Sequence, residues 1–207
     1  MRDSKLKITG DTSRDLARAM YLKRRGGVRL DANNLWPDPE IASSCLTALA
    51  RHAWAIEEPI QPRNWSGLSQ IASETGLAII LDESLLTRAD LEAAPTEIDL
   101  VPNLRVSKHG GLLRSLDLLA HVPGPVIVGA QVGETSILAR AGLALAHAAG
   151  SRLKGFEGAY APVLLSRDVV APSLGFGHSG RIREEGIVGK PGSGLALMPQ
   201  FCKALTG

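Results

Sequence analysis

The sequence predicts an α/β protein in which parallel strands and helices alternate along most of the chain. Three observations carry that expectation. Apolar runs too short for helices recur as Val28-Arg29-Leu30, Trp54-Ala55-Ile56 and Ile79-Ile80-Leu81, the mark of strands buried on both faces. Segments of helical spacing lie between them. Polar residues close the presumed strands at Lys7, Asp31, Glu57, Asp82, Arg105, Gln131 and Glu157, at successive intervals of 24, 26, 25, 23, 26 and 26 residues. One βα unit takes up about that much chain, and such regularity without sequence identity is a supersecondary repeat. An open sheet spreads strand-end groups out, whereas a closed barrel gathers them at one mouth. The expectation is therefore a TIM-type (β/α) barrel. Seven strands are legible where a complete barrel has eight, so an incomplete barrel is expected.

The elements follow in order. Residues 5–8 alternate as a first strand and end at Thr9-Gly10-Asp11. Residues 13–25 place Leu16, Ala17, Met20 and Tyr21 at helical spacing and stop at Gly26-Gly27. The Asp31 strand is followed by a turn over 34–39 and a helix over 41–51, with Ile41, Cys45, Leu46 and Leu49 on one face. After Glu57 and Pro59, residues 68–75 are helical and Gly76 closes them. The Asp82 strand precedes a short helix over 88–94 and a strand over 99–106. The turn Ser107-Lys108-His109-Gly110-Gly111 then leads into a helix over 112–120. A strand over 125–131, an amphipathic helix over 134–149 and a short strand over 155–158 complete the alternation. The barrel domain is expected to span 1–161, with 162–207 a Gly/Pro-rich tail packing on it.

Composition narrows the function. The chain has 207 residues, 44% hydrophobic and 21% charged, enough for one large domain and short for two. The net charge is +2 with Lys and Arg scattered, which gives nucleic-acid binding no electrostatic support. Cys45 and Cys202 lack metal-ligand spacing and read as reduced thiols. The polar start Met1-Arg2-Asp3-Ser4-Lys5 is unlike a signal peptide. No apolar run approaches the roughly 18 residues that cross a bilayer. A cytoplasmic protein is expected.

The chemistry is carried by Asp31, Glu57 and Asp82, one carboxylate from each of three consecutive strand ends. Carboxylate oxygens in that number suit a hard divalent cation, Mg²⁺ or Mn²⁺, which keeps open positions for substrate and water. Soft and imidazole ligands are lacking, which argues against zinc. The bland alternative is three loop-facing acids with no common task.

With these residues in place, the chain resembles the barrel domain of the enolase superfamily, in the muconate lactonizing enzyme branch that also holds o-succinylbenzoate synthases and dipeptide epimerases. The matching motifs are Lys5-Leu6-Lys7, Leu30-Asp31-Ala32-Asn33, Ile56-Glu57-Glu58-Pro59 and Leu81-Asp82-Glu83-Ser84. They continue through Asn103-Leu104-Arg105-Val106-Ser107-Lys108, Val128-Gly129-Ala130-Gln131-Val132-Gly133-Glu134 and Gly155-Phe156-Glu157-Gly158. The resemblance implies that Asp31, Glu57 and Asp82 bind magnesium and that Lys7 moves a proton. In the family a capping domain and a first barrel strand precede the Lys-x-Lys strand, and here the chain is expected to lack them. A catalytic lysine of the family is replaced by Arg105. The segment around Glu157 has no histidine, which argues against the histidine-based chemistry of mandelate racemase.

The expected reaction is abstraction of the α-proton of a small carboxylate substrate, with the metal stabilising an enediolate. Lys5 lies two residues from Lys7 on the same strand face, and its like charge would lower the Lys7 pKa towards that of a base. Arg105 stays protonated and is a poor base, so β-elimination or cycloisomerisation with one base is favoured over epimerisation with two. The plainer reading of Arg105 is an ion pair with a strand-end acid such as Glu134. Lys108, Glu134 and Glu157 are candidates for substrate contact at the mouth, although Lys108 falls in the turn and Glu134 could cap the next helix.

Weaker signals carry less. Gly175-Phe176-Gly177-His178-Ser179-Gly180 matches G-x-G-x-x-G without a strand before or a helix after it, so a dinucleotide site is not expected. The five histidines show no ligand spacing, and Trp36, Trp54 and Trp65 read as packing residues. The competing reading of the whole chain is a catalytically inactive barrel that binds metal or a partner. Open sheet edges invite pairing, so that partner is a second copy or a complementing chain.

Overall fold

The computed structural model describes residues 3–158, 164–175, 182 and 186–202. Residues 176–180 of the glycine motif, His178 among them, and the side chain of Cys202 fall outside that description. Seven strands run in sequence order through one sheet: β1 (Asp3–Lys7), β2 (Gly27–Asp31), β3 (Ala55–Glu57), β4 (Ala78–Leu81), β5 (Leu100–Leu104), β6 (Val126–Val128) and β7 (Leu153–Phe156). Between them lie α1 (Thr12–Lys23), α2 (Pro39–Ala50), α3 (Trp65–Thr75), α4 (Arg88–Ala93), α5 (Leu112–His121) and α6 (Ser136–Ala149). The alternation of seven strands with helices is the expected α/β fold of an incomplete TIM-type barrel. A two-stranded antiparallel pair, β8 (Val170–Ala171) and β9 (Ala196–Leu197), belongs to the later part of the chain. Among the described residues, no helix is long and apolar enough to cross a membrane.

The chain divides into two compact units, one of residues 1–103 with 121–126 and one of 104–120 with 127–207. In the first, β1 to β4 and the start of β5 pair in parallel. Leu30, Ile56, Ile79 and Leu81 are fully buried on their strands, as expected of a parallel sheet covered by helices. In the second, Leu143, Leu174 and Ile187 form a buried cluster with Phe156 packed against it.

Helix starts follow local chemistry. Asp11, Asp38, Asn64 and Thr87 each accept hydrogen bonds from the backbone of the turn they cap, which satisfies amides that have no helical partner. Pro39 occupies the first turn of α2, where its missing N–H costs nothing, so the expected turn over 34–39 ends one residue earlier. Asn64 caps α3 at Trp65, three residues before the expected start. Gly27 begins β2 instead of ending α1.

Two helix faces differ from expectation. Met20 and Tyr21 are exposed, and α1 buries Asp15 and Ala19 instead. The Asp15 carboxylate accepts from the Thr9 and Gly10 amides and from the Thr9 hydroxyl, which turns the helix on its axis. On α2 the buried stripe is Ala42, Ser43, Leu46 and Leu49, while Ile41 is half exposed. Small residues let that helix pack closely, and apolar periodicity alone favours the larger side chains.

Candidate metal and proton-transfer site

Strand register places the site residues of the first unit. Lys7 pairs with Asp31, Asp31 with Glu57, Glu57 with Ile80 and Ile80 with Val101. Side chains two residues apart share a face of a strand, so Lys5, Lys7, Asp31, Glu57, Asp82 and Asn103 belong to one face near the strands' C-terminal ends. Asp31, Glu57 and Asp82 are 3%, 1% and 2% exposed. Acids are seldom buried so completely without a compensating charge.

Lysines supply that charge. Lys5 Nζ stands 3.1 Å from Asp31 Oδ2 and 3.1 Å from Glu57 Oε2, and Lys7 Nζ stands 3.1 Å from the same Asp31 oxygen. Burial pushes the Asp31 carboxyl up, but the Lys5 and Lys7 ammonium groups outweigh it and hold the carboxyl below its ordinary value. Asn103, fully buried on β5, donates from Nδ2 to Glu57 Oε1 at 3.0 Å. The Lys7 side chain is 65% exposed, whereas Lys5 is 22% exposed. Lys7 is thus the lysine that a molecule arriving from solvent meets.

The donor set is hard, anionic and buried, which fits Mg²⁺ or Mn²⁺ in chemistry. Among the described residues, however, no three His, Cys, Asp or Glu side chains converge as a bound ion requires. Lys5 bridges Asp31 and Glu57, and Lys7 adds a second ammonium at Asp31.

Glu58, next to Glu57, is as buried as its neighbour. Burial raises its carboxyl, which accepts from Asp82 N, Ser84 N and Ser84 Oγ. Asn103 and Glu58 fall within the matching motifs, but neither has a role that the sequence alone assigns. Period-two alternation from Val101 through Asn103 to Arg105 was the available signal for the first; a second acid beside Glu57 was the only one for the second.

The remaining predicted residues lie in the second unit. Arg105 donates from Nη1 to Gln131 Oε1 at 3.2 Å. Glu134 Oε1 accepts from Ser107 Oγ and from Gln131 N, both at 2.8 Å, tying the segments after β5 and β6 together. Thr135, and not Glu134, is the N-cap of α6. Lys108 sits in the turn after β5. Glu157 follows β7, and its amide donates to Val128 O at 2.8 Å. One groove of about 560 Å³ lies along α4 and another of about 600 Å³ along the end of α3, and both include Asp99, just before β5. They therefore lie by the opposite strand ends from the carboxylates.

Parallel strands presenting carboxylates and lysines at their C-terminal ends define the class, an α/β barrel with its functional groups at the barrel mouth. The chain belongs to the enolase C-terminal domain-like family, whose profile matches residues 1–200, and it falls in the muconate lactonizing enzyme branch of the enolase superfamily. It is 29% identical over 142 residues to a hydrophobic dipeptide epimerase of Enterococcus faecalis, covering 64% of this chain and 40% of the relative. The crystal structure of muconate cycloisomerase from Pseudomonas fluorescens superposes with a TM-score of 0.74 at 26% identity, over 98% of this chain and 57% of that one. The fold is also that of a dipeptide epimerase from Cytophaga hutchinsonii complexed with Mg and the dipeptide D-Ala-L-Val, with a TM-score of 0.76 at 22% identity, over 99% of this chain and 56% of that one. The chain spans about half the length of the relatives it matches.

Proposed function

We propose that this chain carries the catalytic face of a Mg²⁺-dependent isomerase or lyase that removes the α-proton of a small carboxylate substrate. The observation that carries the reading is the set of Asp31 and Glu57, both buried and both held by Lys5, with Lys7 exposed beside them. Asp31, Glu57 and Asp82 would hold the metal, with Mn²⁺ as the near substitute. When bound, such a cation supplies positive charge for the substrate carboxylate as the α-carbon loses its proton.

Lys7 is the proton acceptor, because its side chain is much the more exposed of the two lysines while staying anchored to Asp31. In its neutral form it takes the α-proton onto Nζ. Lys5 compensates the charge of Asp31 and Glu57. A guanidinium is a poor general base, so Arg105 serves as a fixed cation and one-base cycloisomerisation or β-elimination is preferred to two-base epimerisation. Lys108, Glu134 and Glu157 are assigned to substrate contact, and the protein is placed in the cytoplasm.

The test is solvent-deuterium exchange into a panel of muconate-type, succinylbenzoate-type and dipeptide carboxylates with Mg²⁺. Exchange that falls at least 100-fold in Lys7→Ala, with binding of substrate retained, is the expected result. Exchange that survives the substitution removes Lys7 from the role. A second reading, a barrel that binds a cation or a partner chain without catalysis, draws on the lysine-bridged carboxylates. It predicts Mg²⁺ binding and self-association with no exchange into any of these acids.

A further inference from the structure

We infer that Glu58 is a positioning residue, whose buried carboxylate fastens the loop carrying Asp82 to the end of β3, where Glu57 sits, while its backbone carbonyl joins that segment to the one following Asp31. The inference rests on the metal reading above for its functional consequence, though not for its geometry. Glu58 Oε1 accepts the Asp82 amide at 2.6 Å and the Ser84 amide at 2.7 Å, and Oε2 accepts the Ser84 hydroxyl at 2.7 Å. The amide of a proposed metal ligand is thus bonded to the side chain adjacent to another. On the other side, the Glu58 carbonyl accepts from Asn34 N at 2.7 Å, three residues past Asp31. The zipper between these two loops runs on through Ala32 N to Glu57 O, Trp36 N to Pro59 O and Asn34 Nδ2 to Ile60 O.

Backbone conformation supports the same role. Glu58 has φ +38°, in the left-handed region that side chains rarely adopt, and it precedes Pro59, which narrows its choices further. Such a conformation persists where the surroundings over-determine it, and these residues cluster at functional sites. An extended Glu58 would aim its side chain elsewhere and release the Asp82 loop. The Ser84 hydroxyl extends the brace by accepting from Arg63 N at 3.0 Å, and Arg63 is also at positive φ, +62°. One carboxylate therefore spans chain segments 24 to 26 residues apart and sets the distance between ligand-bearing loops.

The experiment compares the full chain with Glu58→Ala and Glu58→Gln by amide hydrogen exchange and by Mn²⁺ titration calorimetry. In Glu58→Ala, exchange is expected to rise at least tenfold at Asp82 and Ser84, whose amides bond the carboxylate, while Asn34, whose partner is the retained Glu58 carbonyl, and the β2 and β4 amides stay within threefold, and Mn²⁺ affinity is expected to fall at least tenfold. Glu58→Gln keeps an oxygen for the two amides and should recover most of both, a rescue that mere loss of core packing would not show. Should Glu58→Ala not fold, Ser84→Ala, which removes the hydroxyl bonds alone, is expected to give the same local pattern at smaller size. Unchanged loop exchange overturns the brace; freed loops with unchanged Mn²⁺ affinity overturn its link to the ligands. A wild-type chain that binds no Mn²⁺ overturns the metal reading instead, and the exchange data then decide the brace by themselves.

Discussion

Lys5 shows at the scale of one side chain how the site compensates two buried acids. Its ammonium touches Asp31 and Glu57 at once, and removing it leaves Asp31 with Lys7 and Glu57 with the neutral Asn103 amide. Lys5→Met is expected to cost roughly 3 kcal/mol of stability in metal-free buffer, the scale for breaking one partner out of a buried ion pair. Chemical denaturation with and without Mg²⁺ checks this. The cation should stabilise the variant more than the wild type, because it no longer competes with an ammonium. An equal Mg²⁺ effect on both chains would mean that the ion binds elsewhere.

Elements are held to their neighbours by single carboxylates, and each of these can be tested by pH. On α4, Asp90 accepts from Leu86 N, Thr87 N and Thr87 Oγ1, and from Arg63 Nε at 2.6 Å. Burial would raise its carboxyl, but the Arg63 bond and the two backbone amides prevail and bring it down to about 2. A depressed carboxyl stabilises the fold fully above its unfolded pKa of about 3.9, and that contribution is lost as pH falls towards 2. Stability is expected to drop across that window by about 1 kcal/mol for this group after solvent screening, and Asp90→Asn should flatten that part of the acid curve. In the second unit, Asp168 accepts from the amide and hydroxyl of Ser136 at the start of α6, while Ser136 Oγ accepts from Leu174 N. Burial opposes ionisation there too, and the Ser136 bonds overcome it, leaving the carboxyl below its ordinary value. Asp168→Ala should cost about 1–2 kcal/mol, the penalty for stranding buried donors, and should speed proteolytic cleavage within residues 164–175 several-fold. Cleavage at an unchanged rate would show that other contacts hold the segment.

At the level of the whole chain, a bound ion is a stabiliser by mass action. Mg²⁺ at a hundredfold its Kd should raise unfolding free energy by about 2.7 kcal/mol, and Asp31→Ala or Glu57→Ala should abolish the rise. Thermal unfolding against Mg²⁺ concentration reads it directly. This expectation ties the proposed function to the fold without requiring a known substrate, which matters for a chain that covers 40% of one relative and 57% of another.

The alternation of strands and helices and the arrival of Asp31, Glu57 and Asp82 at strand ends were legible in the sequence. Both depend on periodicity. The faces of α1 and α2 were not, since a buried Asp15 bonded to Thr9 and Gly10 overrides apolar spacing. Nor could the sequence disclose that Lys5 lies between Asp31 and Glu57, that Asn103 bonds Glu57, or that Glu58 reaches the loop of Asp82. These partners are 24 to 52 residues apart. They meet only after parallel register brings their strands side by side, so the tertiary fold alone decides which charge faces which.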